Sequence, residues 1–172
     1  YTFHGGVLEP VKAAPPLNLT DQHGQPFSLA TAPEKVRLIY FGYTTCPDFC
    51  PTTLTDFLTV KEELGDDADQ VEFIMVTVDP ERDTQARLQE YLAFFDPEFV
   101  GLRGDQAQTD AALRGYGVLA QRSEQPGLVT GYLVDHSTMI YVLDENGNLR
   151  LTFPYGFDRA DMTEDVRHLL DD

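Results

Sequence analysis

The stretch from Val36 to Thr53, VRLIYFGYTTCPDFCPTT, constrains the fold of this chain more than any other and contains both of its cysteines. The apolar run from Leu38 to Phe41 predicts a buried strand, which leads through Gly42 into a turn. Pro51 then opens an amphipathic run that is typical of a helix. A strand, a cysteine-bearing turn and a helix together form the layout of a redox or metal site.

Three residues, Pro47, Asp48 and Phe49, separate Cys46 from Cys50. On one helical turn this spacing places the two sulfurs on the same side. The Cα atoms are then about 6 Å apart, which permits a disulfide and also leaves a gap that a soft metal ion can bridge. We expect the helix N-terminus to lower the pKa of the thiols. The spacing therefore predicts a reactive sulfur pair and leaves disulfide and metal chemistry both open.

A plain structural role competes with this interpretation, since cysteines are often buried hydrophobic side chains or disulfide staples. A disulfide that closes so short a loop removes little entropy from the unfolded chain and therefore stabilises it poorly. Pro47 and Pro51 follow the two cysteines and fix the turn, which a merely packed thiol does not need. We therefore favour a functional site.

The composition limits the classes of partner. The chain has 172 residues, the size of one domain, and carries 12 basic against 29 acidic residues, a formal charge of −17. Such a charge repels phosphate backbones, so we expect no nucleic-acid partner, and it suits cations or a basic protein face as well as plain solubility. No apolar run approaches the roughly 20 residues of a membrane span, so we expect a soluble chain, and its start at Tyr1 suggests a mature or trimmed sequence.

The sequence predicts a short N-terminal segment followed by one domain. Residues 1–16 contain several glycines and prolines without periodicity, so we expect a tether that packs partly onto a domain formed by residues 17–172. Residues 17–29 alternate apolar and polar side chains on either side of DQHGQ, which predicts a β-hairpin with Gly24 in its turn.

Helices and strands alternate after the cysteine turn, followed by a hairpin and a last helix. We predict an α/β sandwich of the thioredoxin type, with a central mixed sheet flanked by helices. We expect the residues from Gly117 to Val134 to form a loop or irregular ribbon. The other predicted elements are a helix from Pro51 to Leu64, a strand from Val71 to Val78, a helix capped by Asp83 or Thr84 and ending near Phe95, a strand from Val100 to Leu102, a helix from Gln106 to Tyr116, strands from Met139 to Leu143 and Leu149 to Phe153, and a helix from Asp161 to Leu170.

Three motifs together resemble a known family. FGYTTCPDFCP, then TVDPERDT, then VDHSTMIYVLDENG are similar to the motifs of the Sco/SenC family, thioredoxin-like and membrane-anchored copper proteins that assist cytochrome c oxidase assembly. The likeness runs from the PLNLTDQHGQPFSL hairpin to the last helix. Family members commonly have histidine before the first cysteine, where this chain has Thr45, a difference that bears on hydrogen bonds around the site.

The resemblance implies a metal site formed by Cys46, Cys50 and His136. A histidine at such a position is by itself more often an ordinary loop residue, and the match of VDHSTMIYVLD is what makes His136 the third ligand. The neighbouring Asp135 is expected either to form a hydrogen bond with nearby backbone or to orient the imidazole ring, as residues around a metal ligand often do. Asp79, at the end of a predicted central strand, is either a turn residue before a proline or a supporting residue of the site.

Two thiolates and one imidazole favour Cu(I), and they accept Cu(II) when a water or a carboxylate adds to them. Structural zinc prefers four protein ligands, and only three are evident here. Met75 and Met139 lie inside apolar runs, so we expect core positions for both. We expect four aromatic side chains to bury or rim the site: Tyr40, Phe41, Tyr43 and Phe49.

The function that follows from the resemblance is a copper metallochaperone, monomeric, which delivers copper to the dinuclear copper (CuA) centre of cytochrome c oxidase. Its expected partners are the oxidase subunit that holds this centre and another copper chaperone or a thiol reductant. Its expected location is extracytoplasmic, on an N-terminal membrane anchor that precedes this sequence. A thiol–disulfide oxidoreductase in which Cys46 and Cys50 are the redox-active pair is the alternative, and a thiol peroxidase fits less well because peroxidases place a proline and a threonine before the reactive cysteine.

Overall fold

The structure is a computed structural model that describes residues 1–30, 34–46, 49–123, 133–136 and 138–172, with the backbone alone at Phe49, 121–123 and 133–136. Its strands are β1 Gly6–Ala13, β2 Leu19–Asp21, β3 Pro26–Phe27, β4 Val36–Gly42, β5 Val71–Thr77, β6 Val100–Arg103, β7 Ala120–Ser123, β8 Leu133–His136, β9 Ile140–Leu143 and β10 Asn148–Phe153. Its helices are α1 Phe49–Leu64, α2 Gln85–Phe95, α3 Gln106–Tyr116 and α4 Arg159–Asp171, with a 3₁₀ turn at Gly65–Gln70.

Eight of these strands form one mixed sheet in the order β1-β10-β9-β4-β5-β6-β2-β3. Strands β4, β5 and β6 run parallel, and the other neighbours in the sheet are antiparallel. The predicted N-terminal hairpin is present as β2 and β3, with Gly24 in the left-handed conformation at φ 80°. The central parallel strands are the part of the sheet that leads into the cysteine turn.

Strand β4 is the centre of the fold, and all seven of its residues are buried. It pairs with β5 on one side and with β9 on the other. Because side chains alternate along a strand, Tyr40 reaches Cys50 of α1 while the Phe41 ring lies 5.4 Å from the Tyr116 ring of α3. Helices α1 and α3 therefore cover opposite faces of the sheet.

Helices α2 and α4 lie on the same face as α1. The Thr163 hydroxyl of α4 donates to the Glu63 carboxylate of α1 at 2.7 Å. Lys61 of α1 forms an ion pair of 2.6 Å with Asp96, at the end of α2. Helices on both faces of a mixed sheet confirm the predicted α/β sandwich.

The N-terminal segment differs from the expectation. Residues Gly6–Ala13 form β1, which pairs antiparallel with β10 at the edge of the sheet. The buried carboxylate of Asp165 on α4 accepts hydrogen bonds from the Tyr1 hydroxyl and from the backbone of His4 and Gly5. The tether does pack onto the domain, but the sequence did not predict strand β1 within it. The physical reason is that β1 is exposed on both faces and so shows no alternation in sequence.

Strands β7 and β8 form a separate antiparallel ribbon in which Ala120 is paired with His136. This confirms the predicted ribbon in part, because residues 124–132 lie outside the described ones. His136 was expected in a loop, and that placement is wrong: it is the last residue of β8.

Among the described residues, no helix combines the length and apolar character that a membrane span requires.

Candidate metal and redox site

The sheet topology brings the cysteine turn, Asp79 and the start of β9 to one edge. Strands β4 and β5 are parallel, so the cysteine turn and Asp79 both follow strand ends at the same edge. Strand β9 is antiparallel to β4 and begins at that edge, where Ile140 is paired with Tyr40. His136 precedes Ile140 by four residues in the sequence and is paired with Ala120 of β7. The side chains of Asp135 and His136, and residues 47 and 48, lie outside the described part.

The cysteine turn is closed by a hydrogen bond of 3.2 Å from the Cys46 amide to the Tyr43 carbonyl. Helix α1 begins at Phe49, so Cys50 lies in its first turn while Cys46 precedes the helix. Both thiols are reduced and buried, and the two side chains are in hydrogen-bonding contact. The structure thus confirms that the two cysteines meet, although they do not share one helical turn.

Cys50 is seated against the end of β4. Its Sγ lies 3.5 Å from the Tyr40 hydroxyl, within reach of a weak hydrogen bond. A Cβ atom on Gly42 would lie 2.8 Å from this Sγ and 2.8 Å from Cε1 of Tyr40. Glycine at position 42 is therefore what allows the sulfur to approach the strand backbone.

The charge state of Cys50 in the reduced protein differs from the expectation. Burial raises the pKa of its thiol, and the neighbouring Cys46 raises it further. Hydrogen bonds from the Tyr40 hydroxyl and the Tyr43 backbone oppose this rise. The expected lowering of the pKa is therefore wrong for Cys50, because burial of its sulfur raises the pKa.

Asp83 fixes the cysteine turn to β5, a role that the sequence did not reveal. Its side chain is fully buried and accepts hydrogen bonds from the Thr44 amide at 3.1 Å, from the Thr44 hydroxyl at 2.5 Å and from the Thr77 hydroxyl at 2.6 Å. Burial raises the pKa of the Asp83 carboxyl, while the bonds from Thr44 and Thr77 oppose that rise. Thr84, the other candidate cap, is the actual N-cap of α2 and accepts from the Arg87 amide. The sequence offered two adjacent N-cap candidates for α2, Asp83 and Thr84, and only one residue caps a helix. This was the signal in the sequence that the other residue has a different role.

Asp79 is buried and forms an ion pair of 2.5 Å with Arg82. The Arg82 guanidinium lies 5.8 Å from the centroid of the Tyr43 ring, in the turn that precedes Cys46. Asp79 is therefore connected to the cysteine turn through Arg82. Its role as a supporting residue of a metal site stays a prediction.

The buried hydroxyl groups of Thr45 and Tyr91 have no hydrogen-bond partner among the described residues. Thr45 stands immediately before Cys46. An unpartnered buried hydroxyl next to Cys46 fits a site that takes up a further group. Met75 is in the core as predicted, whereas Met139, also expected there, lies just before β9 and is half-buried.

Comparison with known proteins gives a consistent match over nearly the whole chain. Residues 7–171 match the SCO1/SenC protein family. An SCO2-like protein of Rickettsia conorii is 34% identical over 158 residues, which cover 92% of this chain and 77% of that protein.

Solved structures agree with this match. ScoI of Bradyrhizobium japonicum with copper bound has a TM-score of 0.82 at 36% identity, covering 92% of this chain and 99% of that one. The solution structure of apo Sco1 from Thermus thermophilus has a TM-score of 0.83 at 34% identity, covering 99% and 97%. These likenesses confirm the predicted thioredoxin-like fold.

Proposed function

Because this chain belongs to the SCO1/SenC family, we propose that it binds copper through Cys46, Cys50 and His136 and delivers it to the dinuclear copper centre of cytochrome c oxidase. The Sco family comprises cytochrome c oxidase assembly proteins. The observation that carries the proposal is the pair of reduced thiols in contact at the start of α1. The family resemblance implies that the domain works outside the cytoplasm on a membrane anchor.

The donor set suits a metal that must later leave. Two thiolates and one imidazole favour Cu(I), which is stable with few ligands. The thiols release their protons on binding, since the thiolate is the form that ligates a metal. Acceptor thiolates then take over the ion stepwise, because a site with three ligands leaves a position open to an incoming sulfur. Asp135 is proposed to orient the imidazole of His136.

Hydrogen bonds to the turn before Cys46 support transfer of copper without rearrangement of the fold. Asp83 holds Thr44 in place, and Arg103 of β6 donates to the carbonyls of Asp83 and Pro80 at 2.9 and 3.1 Å. The turn before Cys46 is thus fixed from β5 and β6. A site held this way binds the ion in a preset geometry.

The test is a transfer experiment. The protein is loaded with one equivalent of Cu(I) under anaerobic conditions and mixed with the reduced copper-centre domain of the oxidase subunit, and the two are separated and assayed for copper. We expect copper to move to the acceptor from wild-type protein. Copper that stays on the donor when the acceptor thiols are reduced and free would refute delivery.

A thiol–disulfide oxidoreductase is the second candidate, favoured by the same contact between Cys46 and Cys50. In this reaction one thiolate attacks a target disulfide, the other resolves the mixed disulfide, and two electrons and two protons pass to the target while a Cys46–Cys50 disulfide forms. The His136→Ala variant discriminates between the two, since dithiol exchange persists in it whereas copper delivery is lost. A chain that reduces the acceptor's disulfide without transferring copper supports this second function.

A further inference from the structure

Helix α2 carries a patch of aromatic side chains at the protein surface. Phe94 is 84% exposed, more than any other large apolar side chain among the described residues. Its ring lies 5.4 Å from the ring of Phe95, and the ring of Tyr91 lies 5.4 Å from that same ring. A single exposed apolar side chain is ordinary, whereas adjoining aromatic rings form a patch of the kind that marks an interaction site.

Packing of α2 into the fold uses a different stripe of the helix. Leu88 and Leu92 are fully buried, and they are the residues that hold α2 in the core. Arg87, Tyr91 and Phe94 follow one another at spacings of four and three residues, which places them on a common stripe of the helix. Burial of the leucine stripe therefore stabilises α2, and the exposure of Phe94 is not needed for the fold.

The patch continues into a groove of about 500 Å³ that reaches the cysteine turn. The residues that line this groove are Thr44, Arg87, Glu90, Tyr91 and Phe94. Thr44 belongs to the turn itself, which the hydrogen bond from the Cys46 amide to the Tyr43 carbonyl closes. The Nε atom of Arg87 donates to the Thr44 hydroxyl at 2.8 Å and so joins α2 to the turn. A protein domain that brings its own thiolates to the cysteine turn is therefore placed to cover the groove.

We propose that this groove on α2 is the docking surface for the copper-accepting domain, which inserts an apolar side chain beside Phe94. The inference rests on the proposed function and adds the surface that holds the acceptor. A second copy of this chain is a poor occupant, because each copy carries a formal charge of −17. Arg87 and Glu90 line the groove with opposite charges, so an acceptor with a carboxylate and a cation beside its apolar side chain is held in one orientation. A contact of this small size also releases its partner readily, as a handover requires.

The test is an NMR titration of the reduced, metal-free protein with the reduced copper-centre domain of the oxidase subunit. We expect the largest shifts of backbone amide signals at Thr44 and at residues 87–94. Phe94→Ala should raise the Kd about tenfold, because truncation of an aromatic anchor at the centre of a contact costs about that much. Val11→Ala is the matched control, since Val11 is an exposed apolar residue of β1, at the far edge of the sheet, and it should change the Kd by less than about twofold.

A second pair of variants tests the charges that line the groove. Glu90→Lys reverses one of them and should raise the Kd about threefold, since a charge at the rim of a contact contributes modestly. Glu9→Lys makes the same change in net charge on the exposed strand β1 and should leave the Kd unchanged. Equal effects of the two variants would show that net charge, and not the groove, steers the acceptor, and would overturn the orienting role of Glu90.

Copper transfer to the same acceptor separates this inference from the proposed function. Phe94→Ala should raise the acceptor concentration that gives half the maximal transfer rate about tenfold, and it should leave the maximal rate and the Cu(I) affinity unchanged. Wild-type protein that binds the acceptor through α2 but transfers no copper would refute delivery and keep the docking surface. Amide shifts confined to other elements, a Kd indifferent to Phe94→Ala, or no binding at all would overturn the docking surface, whether or not copper moves.

Discussion

Replacing Asp83 by alanine tests how the fold holds the cysteine turn. The change removes the acceptor of three hydrogen bonds, two from Thr44 and one from Thr77, at a position with no exposed surface. Each bond contributes about 1 kcal/mol net, so we expect the free energy of unfolding to fall by about 3 kcal/mol. In a chain of this length that corresponds to a lower Tm by roughly 6–12 °C.

The effect depends on pH with a definite sign. Burial raises the pKa of the Asp83 carboxyl in the folded protein, so the folded state keeps its proton at a pH where the unfolded chain has lost it. The stability that Asp83 contributes is therefore fully present below the unfolded pKa of about 3.9 and is lost as the pH rises through the folded value. The difference between wild type and Asp83→Ala should be larger at about pH 5 than at about pH 8.

The assay is urea unfolding of the reduced protein followed by circular dichroism at both pH values. Thr84→Ala is the matched control, because it removes only the N-cap bond to the Arg87 amide and should cost about 1 kcal/mol. A cost of Asp83→Ala no larger than that of Thr84→Ala would refute the structural role of Asp83. A difference that widens from acid to neutral pH would refute the assigned direction of its pKa.

Two further changes test packing in the fold, one beside the cysteines and one at the start of β4. Gly42→Ala places a Cβ 2.8 Å from Cys50 Sγ, so it should lower the free energy of unfolding by about 1–3 kcal/mol. In a Cys50→Ala background the same change should cost less, as measured by urea unfolding. Equal costs in both backgrounds would show that the sulfur is not the obstacle. Glu72→Ala removes the carboxylate that lies 3.3 Å from the buried Arg37 guanidinium of β4, so it should lower the stability measured by thermal unfolding by about 3 kcal/mol. Glu72→Gln should cost less. A Glu72→Ala variant as stable as wild type would contradict the ion pair.

Much of the fold could be predicted because its central elements carry a local signal. The apolar run of β4 and the helical spacing of apolar residues in α1 are patterns of residues close together in the sequence. Both elements form where expected. Strand β1 was missed because it lies at the sheet edge and is largely exposed, so burial imposes no alternation on it. Its place in the sheet comes from pairing with β10, more than 100 residues away in sequence.

The sequence predicted the residue types that could bind a metal better than it predicted the residues that hold the cysteine turn in place. The spacing of Cys46 and Cys50 predicts a meeting of two sulfurs, and the structure brings them into contact. Asp83 reaches Thr44 across 39 residues of sequence, a contact that no local pattern encodes. Periodicity identifies which face of a helix is buried, but it does not identify the atom that a buried hydroxyl will meet.

The most direct test of the central claim is an anaerobic Cu(I) titration of the fully reduced protein against a competing chelator, with His136→Ala beside it. His23→Ala is the control, since His23 lies exposed in the turn between β2 and β3. We predict one tightly bound equivalent, weakened more than about 100-fold by His136→Ala and unchanged by His23→Ala. Weak binding by wild type, or binding that is indifferent to His136, would contradict the copper site and favour disulfide exchange by Cys46 and Cys50.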